Sequence, residues 1–92
     1  MSDIVIADNP EQKRWEARDG DEVVGFAEYI LTDELAVFPH TVVHREGEGI
    51  GGKIVRAALD AVRAEGTRKV MPQCPFVKSC IQKHPEYADL VY

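Results

Sequence analysis

The sequence predicts an α/β domain built on a mixed sheet, and three observations point there. The first half reads as strands between turn signals, with Lys13 to Arg18 alternating polar and apolar residues as a strand with one buried face does. The second half switches to the 3.6-residue spacing of an amphipathic helix. The stretch from Leu35 to Met71 is long enough for a right-handed strand–helix–strand crossover with parallel partners. Ninety-two residues make one domain, taken as residues 1–92, with a modest core and any substrate site in a surface cleft. A 45% hydrophobic and 29% charged composition sits above the disordered regime.

Each element has a local reason. Ile4-Val5-Ile6-Ala7 is a short apolar run that stops at the turn cluster Asp8-Asn9-Pro10. Lys13 to Arg18 alternates as a strand, and Asp19-Gly20-Asp21 is a hairpin turn because Gly20 tolerates positive φ. Glu22 to Leu31 carries the Val, Phe, Tyr and Ile that strands favour. Thr32-Asp33-Glu34 turns the chain into a strand over Leu35–Val43, broken at Pro39, where a missing N–H suggests a bulge or an edge. Trp15, Phe26, Tyr29 and Phe38 read as sheet-face core, and Lys13 and Arg14 as solvated.

Gly51 to Glu65 places Ile54, Val55, Ala58, Leu59 and Val62 on one helical face, and Gly66 stops the helix. Arg68 to Met71 is a fifth strand. Pro75 to Lys83 is a second helix with proline at its first position, and Glu86 to Tyr92 is a tail. The expected order is four strands, helix, strand, helix, with one mixed five-stranded sheet.

Charge and composition exclude several function classes. Sixteen acids against eleven Lys and Arg give a net charge of -5, which argues against generic nucleic-acid binding. It leaves room for an anionic ligand held by local donors. No apolar run is long enough for a membrane span, and Met1 to Ile6 lacks the features of a signal peptide. Cys74 and Cys80 are too few for a disulfide framework, and the chain reads as a reduced cytoplasmic monomer. Cys74, Cys80 and His84 match no common zinc spacing, so no metal is expected.

The segment His44-Arg45-Glu46-Gly47-Glu48-Gly49-Ile50-Gly51-Gly52-Lys53 follows a strand and opens a helix. Its glycines allow tight turns and close approach of N–H groups to a ligand, and the helix terminus adds unpaired donors and partial positive charge. With Arg45 and Lys53 as flanking cations, the segment suits a phosphate or pyrophosphate. Ile54 follows Lys53 where a P-loop needs Ser or Thr, and Gly47-x-Gly49-x-Gly51 lacks Rossmann spacing. A glycine turn with a plain helix cap is the bland alternative.

Gly49-Ile50-Gly51 before an amphipathic helix and after a bulged strand resembles the acetyl-coenzyme A pyrophosphate loop of GNAT-type N-acetyltransferases. His40-Thr41-Val42-Val43, Gly47 to Gly52, Pro72-x-Cys74-Pro75-Phe76 and His84-Pro85-Glu86-Tyr87 are similar, in the same order, to the small single-domain members of that family. Glu46 stands where the family carries Gln or Arg, and Arg45 is the neighbouring substitute. The resemblance implies two central parallel strands that splay apart, here the strand ending at Val43 and the one through Val70. It implies acetyl-CoA as co-substrate, its pantetheine arm beside the main chain of Val42 and Val43 and its pyrophosphate on Gly47, Glu48, Gly49, Ile50, Gly51 and Gly52. Larger members carry two helices after the first strand, whereas this chain has only Asp8 to Lys13 there. An open acceptor site follows, able to admit a primary amine on a peptide or protein.

Acetyl transfer to an amine needs a deprotonated nucleophile, a stabilised oxyanion and a proton for the leaving thiolate. Cys74 precedes Pro75 at the N-cap of the second helix, where the terminus favours a thiolate. It could accept a transient acetyl group, act as a thiol acid, or merely fill a small buried site. His40 follows Pro39 at the bulge and is the candidate base, against a histidine that only packs or faces water. His44 reads as solvent-facing and His84 as a helix-end cation. The leading expectation is an acetyl-CoA-dependent N-acetyltransferase. A non-catalytic coenzyme A-binding module and a ligand-free interaction domain are the alternatives.

Overall fold

The computed structural model describes residues 4–45, 47 and 49–92. The expectations for Glu46 and Glu48 lie outside the described residues. Strands β1 (Ile4–Asn9), β2 (Arg14–Asp19) and β3 (Glu22–Glu28) form an antiparallel meander, with Ile4 opposite Asp19 and Arg14 opposite Glu28. Gly20, at φ 63°, makes the β2–β3 turn. A register shift between Ala17 and Arg18 marks a bulge in that pair.

The single five-stranded sheet is replaced by two sheets. The segment from Glu22 to Leu31 divides after Tyr29, whose N–H donates to the Lys13 carbonyl at 2.9 Å and so extends the β2–β3 register one step beyond Arg14 and Glu28. Beyond it lies a two-residue strand, β4 (Ile30–Leu31). The segment from Leu35 to Val43 divides at Pro39, which has no N–H to continue a ladder, into β5 (Leu35–Val37) and β6 (Thr41–Val43). One sheet runs β1-β2-β3-β6, and the other runs β4-β5-β7, with β7 at Lys69–Met71.

β5 and β7 are parallel, with Ala36 opposite Val70. Two bonds continue past them: Phe38 donates to Met71 at 3.1 Å, and Cys74 donates to Phe38 at 2.9 Å. After Pro39 the chain changes sheets and β6 pairs antiparallel with β3. Thr41–Val43 thereby part from β7, and a gap opens between them.

Helix α1 (Ile50–Glu65) starts one residue earlier than its spacing predicts. Gly49 caps its start at φ 69°, and Gly66 ends it at φ 78° with its N–H on the Val62 carbonyl. Ile50, Ile54, Val55, Ala58 and Leu59 are buried against the sheets. Ile50 and Ile54 pack with Ala17, Val24 and Ala27, while Val55, Ala58 and Leu59 pack with Phe38, Val70 and Val77. Trp15 touches both clusters and bridges them. Fully buried aliphatic side chains such as Leu59 each contribute about 2 kcal/mol of transfer free energy.

Helix α2 (Pro75–Lys83) matches its expected bounds. The tail does not: Pro85–Leu90 is a 3-10 helix that buries Tyr87 and Leu90. Val91 then bridges Val70 in parallel, and Tyr92 donates to the Val70 carbonyl at 2.9 Å.

Two side-chain expectations are also corrected. No described helix covers the outer face of the four-stranded sheet, and Phe26 lies there, half-buried, with the Arg14 guanidinium 4.3 Å over its ring. Arg14 is not solvated but bonded to Glu16, which is 2% exposed.

Candidate functional site

A cleft of about 430 Å³ opens where β6 leaves β7 and α1 begins. Its lining is Thr41, Val43, Gly47, Gly49, Ile50, Gly51, Gly52 and Phe76, and none of these carries a charge. Backbone geometry explains why the cleft can receive an extended chain. His40, Val42 and His44 turn their backbone groups toward β3: Glu28 donates to His40 at 3.1 Å, His44 donates to Val24 at 2.8 Å, and Val42 faces Phe26. Antiparallel pairing alternates, so the backbone edges of Thr41 and Val43 face away from β3, into the gap. Val42, expected at the ligand, is on the strand but outside the cleft lining.

The glycines build the floor. Gly47 and Gly49 have φ 85° and 69°, and a Cβ at either would meet nothing within 4 Å, so their surroundings are open. The first helical bond runs from the Lys53 N–H to the Gly49 carbonyl at 3.1 Å. The N–H groups of Ile50, Gly51 and Gly52 therefore have no partner inside the helix and point out of its N-terminal end. Gly51 serves packing: a Cβ there would lie 2.6 Å from Phe76 Cζ and 3.0 Å from Val43 Cγ2. Its absence lets the Phe76 ring, 44% exposed, close over the helix start as a wall of the cleft.

The two flanking cations do not line the cleft. Arg45 donates to Asp19 at 2.8 Å and to Glu22 at 3.3 Å, which ties its guanidinium to the β2–β3 hairpin. Lys53 is exposed on α1.

Cys74 is the N-cap residue of α2 and is 6% exposed. Its Sγ lies 3.8 Å from Thr41 Oγ1, so it stands behind a residue of the cleft wall. Burial pushes its thiol pKa up, but hydrogen bonding from the Val77 and Phe76 N–H groups and from Thr41 outweighs burial and holds it below the usual cysteine value. Cys80 differs: burial raises its thiol. Both cysteines are free.

His40 is exposed on the outer face of the four-stranded sheet, opposite the face that Thr41 and Val43 present to the cleft. Its Nε2 sits 2.8 Å from Glu28 Oε1, and its ring meets the edge of Phe26 at 6.4 Å. His44 is exposed, as expected, and lies tilted 6.3 Å from the other side of Phe26. His84 ends α2 with its N–H on the Cys80 carbonyl and its ring against Tyr87. Sequence reasoning missed Thr41, Phe76 and Glu28. The signal for Glu28 was available in register: laying the strand through Val42 antiparallel to the one through Phe26 puts residue 40 opposite residue 28.

Among the described residues no helix is long and apolar enough to cross a membrane. The model of a family described as GCN5-related N-acetyl-transferase matches residues 14–90. No curated protein matches the chain.

Proposed function

Because the chain belongs to the GCN5-related N-acetyltransferase family, we propose that it is an acetyl-CoA-dependent N-acetyltransferase acting on a primary amine carried by a peptide or protein. One observation carries the reading: a cleft whose described lining carries no charge, whose floor is the glycine-built start of α1 and whose wall is the β6 edge that faces away from β3. That donor set fits the co-substrate. The helix-start N–H groups suit a pyrophosphate. The backbone edge of Thr41 and Val43 faces the gap, with the Thr41 N–H turned toward Cys74 Sγ, and such an edge suits the amides of a pantetheine arm, which can pair with a strand as a peptide does.

When bound, the thioester supplies an activated acetyl group. The chain supplies the rest. Glu28 holds His40 through Nε2 on the outer face of β6, away from the described cleft lining, so His40 Nδ1 serves as the base only for an amine that reaches the gap from that outer face. Cys74 has three readings, an acetyl acceptor, a thiol acid or a small buried residue, and its lowered thiol pKa beside the Thr41 wall supports the acetyl acceptor. In that role the Cys74 thiolate would take the acetyl group and release the coenzyme as its thiolate, and the amine would then displace Cys74 Sγ as a thiolate, its proton going to a base. Free Cys74 and Cys80 suit a reducing cytoplasm, and the net charge of -5 supports a monomer.

The test is a calorimetric titration with acetyl-CoA, desulfo-CoA and ADP, followed by single-turnover transfer to an amine panel. Tight binding of acetyl-CoA that weakens without the pantetheine arm, with transfer, is the expected result. No heat and no thermal shift with any of the three overturns the reading. Binding without transfer assigns a non-catalytic coenzyme A-binding module instead.

A further inference from the structure

A second cavity lies at the other end of α1, and nothing in the acetyl-transfer reading uses it. Its volume is about 100 Å³, and it sits at the seam where the two sheets part. It exists because small side chains face it: Ala36 on β5 and Ala58 and Ala61 on α1 line it where larger residues would fill it. Trp15, Tyr29 and Phe38 supply aromatic walls, and Asp8, Glu65 and Arg68 supply charge. Ala61 is ten residues along α1 from Gly51, which separates the two sites by about 15 Å.

The charges are arranged unequally. Arg68 bonds to Glu65 and to the Thr32 carbonyl, so the one cation of the lining is paired within it. Asp8 has no cation partner among the lining residues and takes the Tyr29 hydroxyl on Oδ1 at 2.7 Å. Burial and that carboxylate raise the Tyr29 phenol to about 12, so it stays a neutral aromatic donor at working pH. Lys13 belongs to the neighbouring groove with Pro10 and Ile30, not to this cavity. The cavity therefore offers three rings and one uncompensated carboxylate.

We propose that this seam cavity binds a small alkylammonium ion, its cationic head against Trp15, Tyr29 and Phe38 and its charge answered by Asp8. Ring faces attract such a head through their quadrupole. At about 100 Å³, below the roughly 150 Å³ of a cavity that holds benzene, the cavity takes the methyl groups of the head while the rest of the ion stays at its open mouth beside Asp8.

The experiment titrates the full chain with choline and with its uncharged carbon isostere, 3,3-dimethyl-1-butanol. Trp15 is the only tryptophan, so its fluorescence reports the site directly, and amide shifts locate the contact. Choline should saturate, with shifts confined to the lining, and the isostere should bind at least about tenfold more weakly. Asp8→Asn should weaken choline and leave the isostere unchanged. Ala61→Leu should fill the cavity and abolish both, with the thermal shift by acetyl-CoA intact. Equal binding of isostere and choline, no saturable change, or an Ala61→Leu protein that still binds choline overturns the proposal.

Discussion

Glu16 is the residue whose chemistry departs most from its surroundings. It is a carboxylate at 2% exposure on an uncovered sheet face. Burial pushes its pKa up, but Arg14 Nε at 2.7 Å, Arg18 Nε at 3.0 Å and Asn9 Nδ2 at 3.1 Å outweigh that and hold it below 4.5. A group depressed in the folded state stabilises the fold above its unfolded pKa and loses that contribution as pH falls through the folded value. Glu16→Gln should therefore cost about 2 kcal/mol at neutral pH, and the gap to the parent should narrow below pH 4.5. Urea unfolding at pH 7, 5 and 3 checks this, and a gap that stays constant contradicts it. At Cys74 the readout is kinetic. Cys74→Ala should bind acetyl-CoA as the parent does and lose at least about 100-fold in kcat. Full turnover in that variant removes Cys74 from the reaction.

At the scale of elements, helix α1 and its glycine start were legible from composition because both signals are local. Apolar spacing marks a buried face, and Gly49 and Gly66 sit at the two left-handed caps. Gly51 needed tertiary information, since only the fold brings Phe76 over it. Gly51→Ala should force the Phe76 ring aside, cost about 1–3 kcal/mol as overpacking does, and weaken acetyl-CoA binding by closing the cleft. Thermal unfolding and calorimetry on one sample check both effects, and unchanged affinity would mean that Phe76 is no wall of the site. The strand count was less legible for a related reason. Strand-favouring residues run on through Tyr29, which still pairs with Lys13 in the β2–β3 register, and nothing local marks that Ile30 and Leu31 fold back on β5 instead. Pro39 signalled a break but not a change of sheet. The C-terminal segment read as a tail because its two anchors, Tyr87 and Leu90, are too few to show a period. Glu28 and His40 meet only across a strand pair, so neither residue reveals the other by spacing.

For the whole molecule, the two sheets share α1, and two phenols fasten distant parts of the chain. Tyr29 Oη donates to Asp8 at 2.7 Å and joins the seam to β1. Tyr87 Oη donates to Asp60 at 2.7 Å and joins the C-terminal turn to α1. Burial, reinforced by each carboxylate, raises both phenols from 10.0 to about 12. A raised folded pKa gives stability that is complete below the unfolded value and is lost as pH climbs to the folded one. The chain should therefore hold its stability up to pH 10 and lose it between pH 10 and about 12. The contribution lost is on the order of 2 kcal/mol for each phenol. Tyr29→Phe and Tyr87→Phe separate the two. Each should be less stable near neutral pH, because an acceptor carboxylate loses its donor, and each should show a shallower alkaline decline. Tyrosinate absorbance followed during urea unfolding measures the slope directly. If neither variant flattens the decline, the two hydroxyls do not tie the sheets and the C-terminal turn together, and the molecule depends on α1 packing alone.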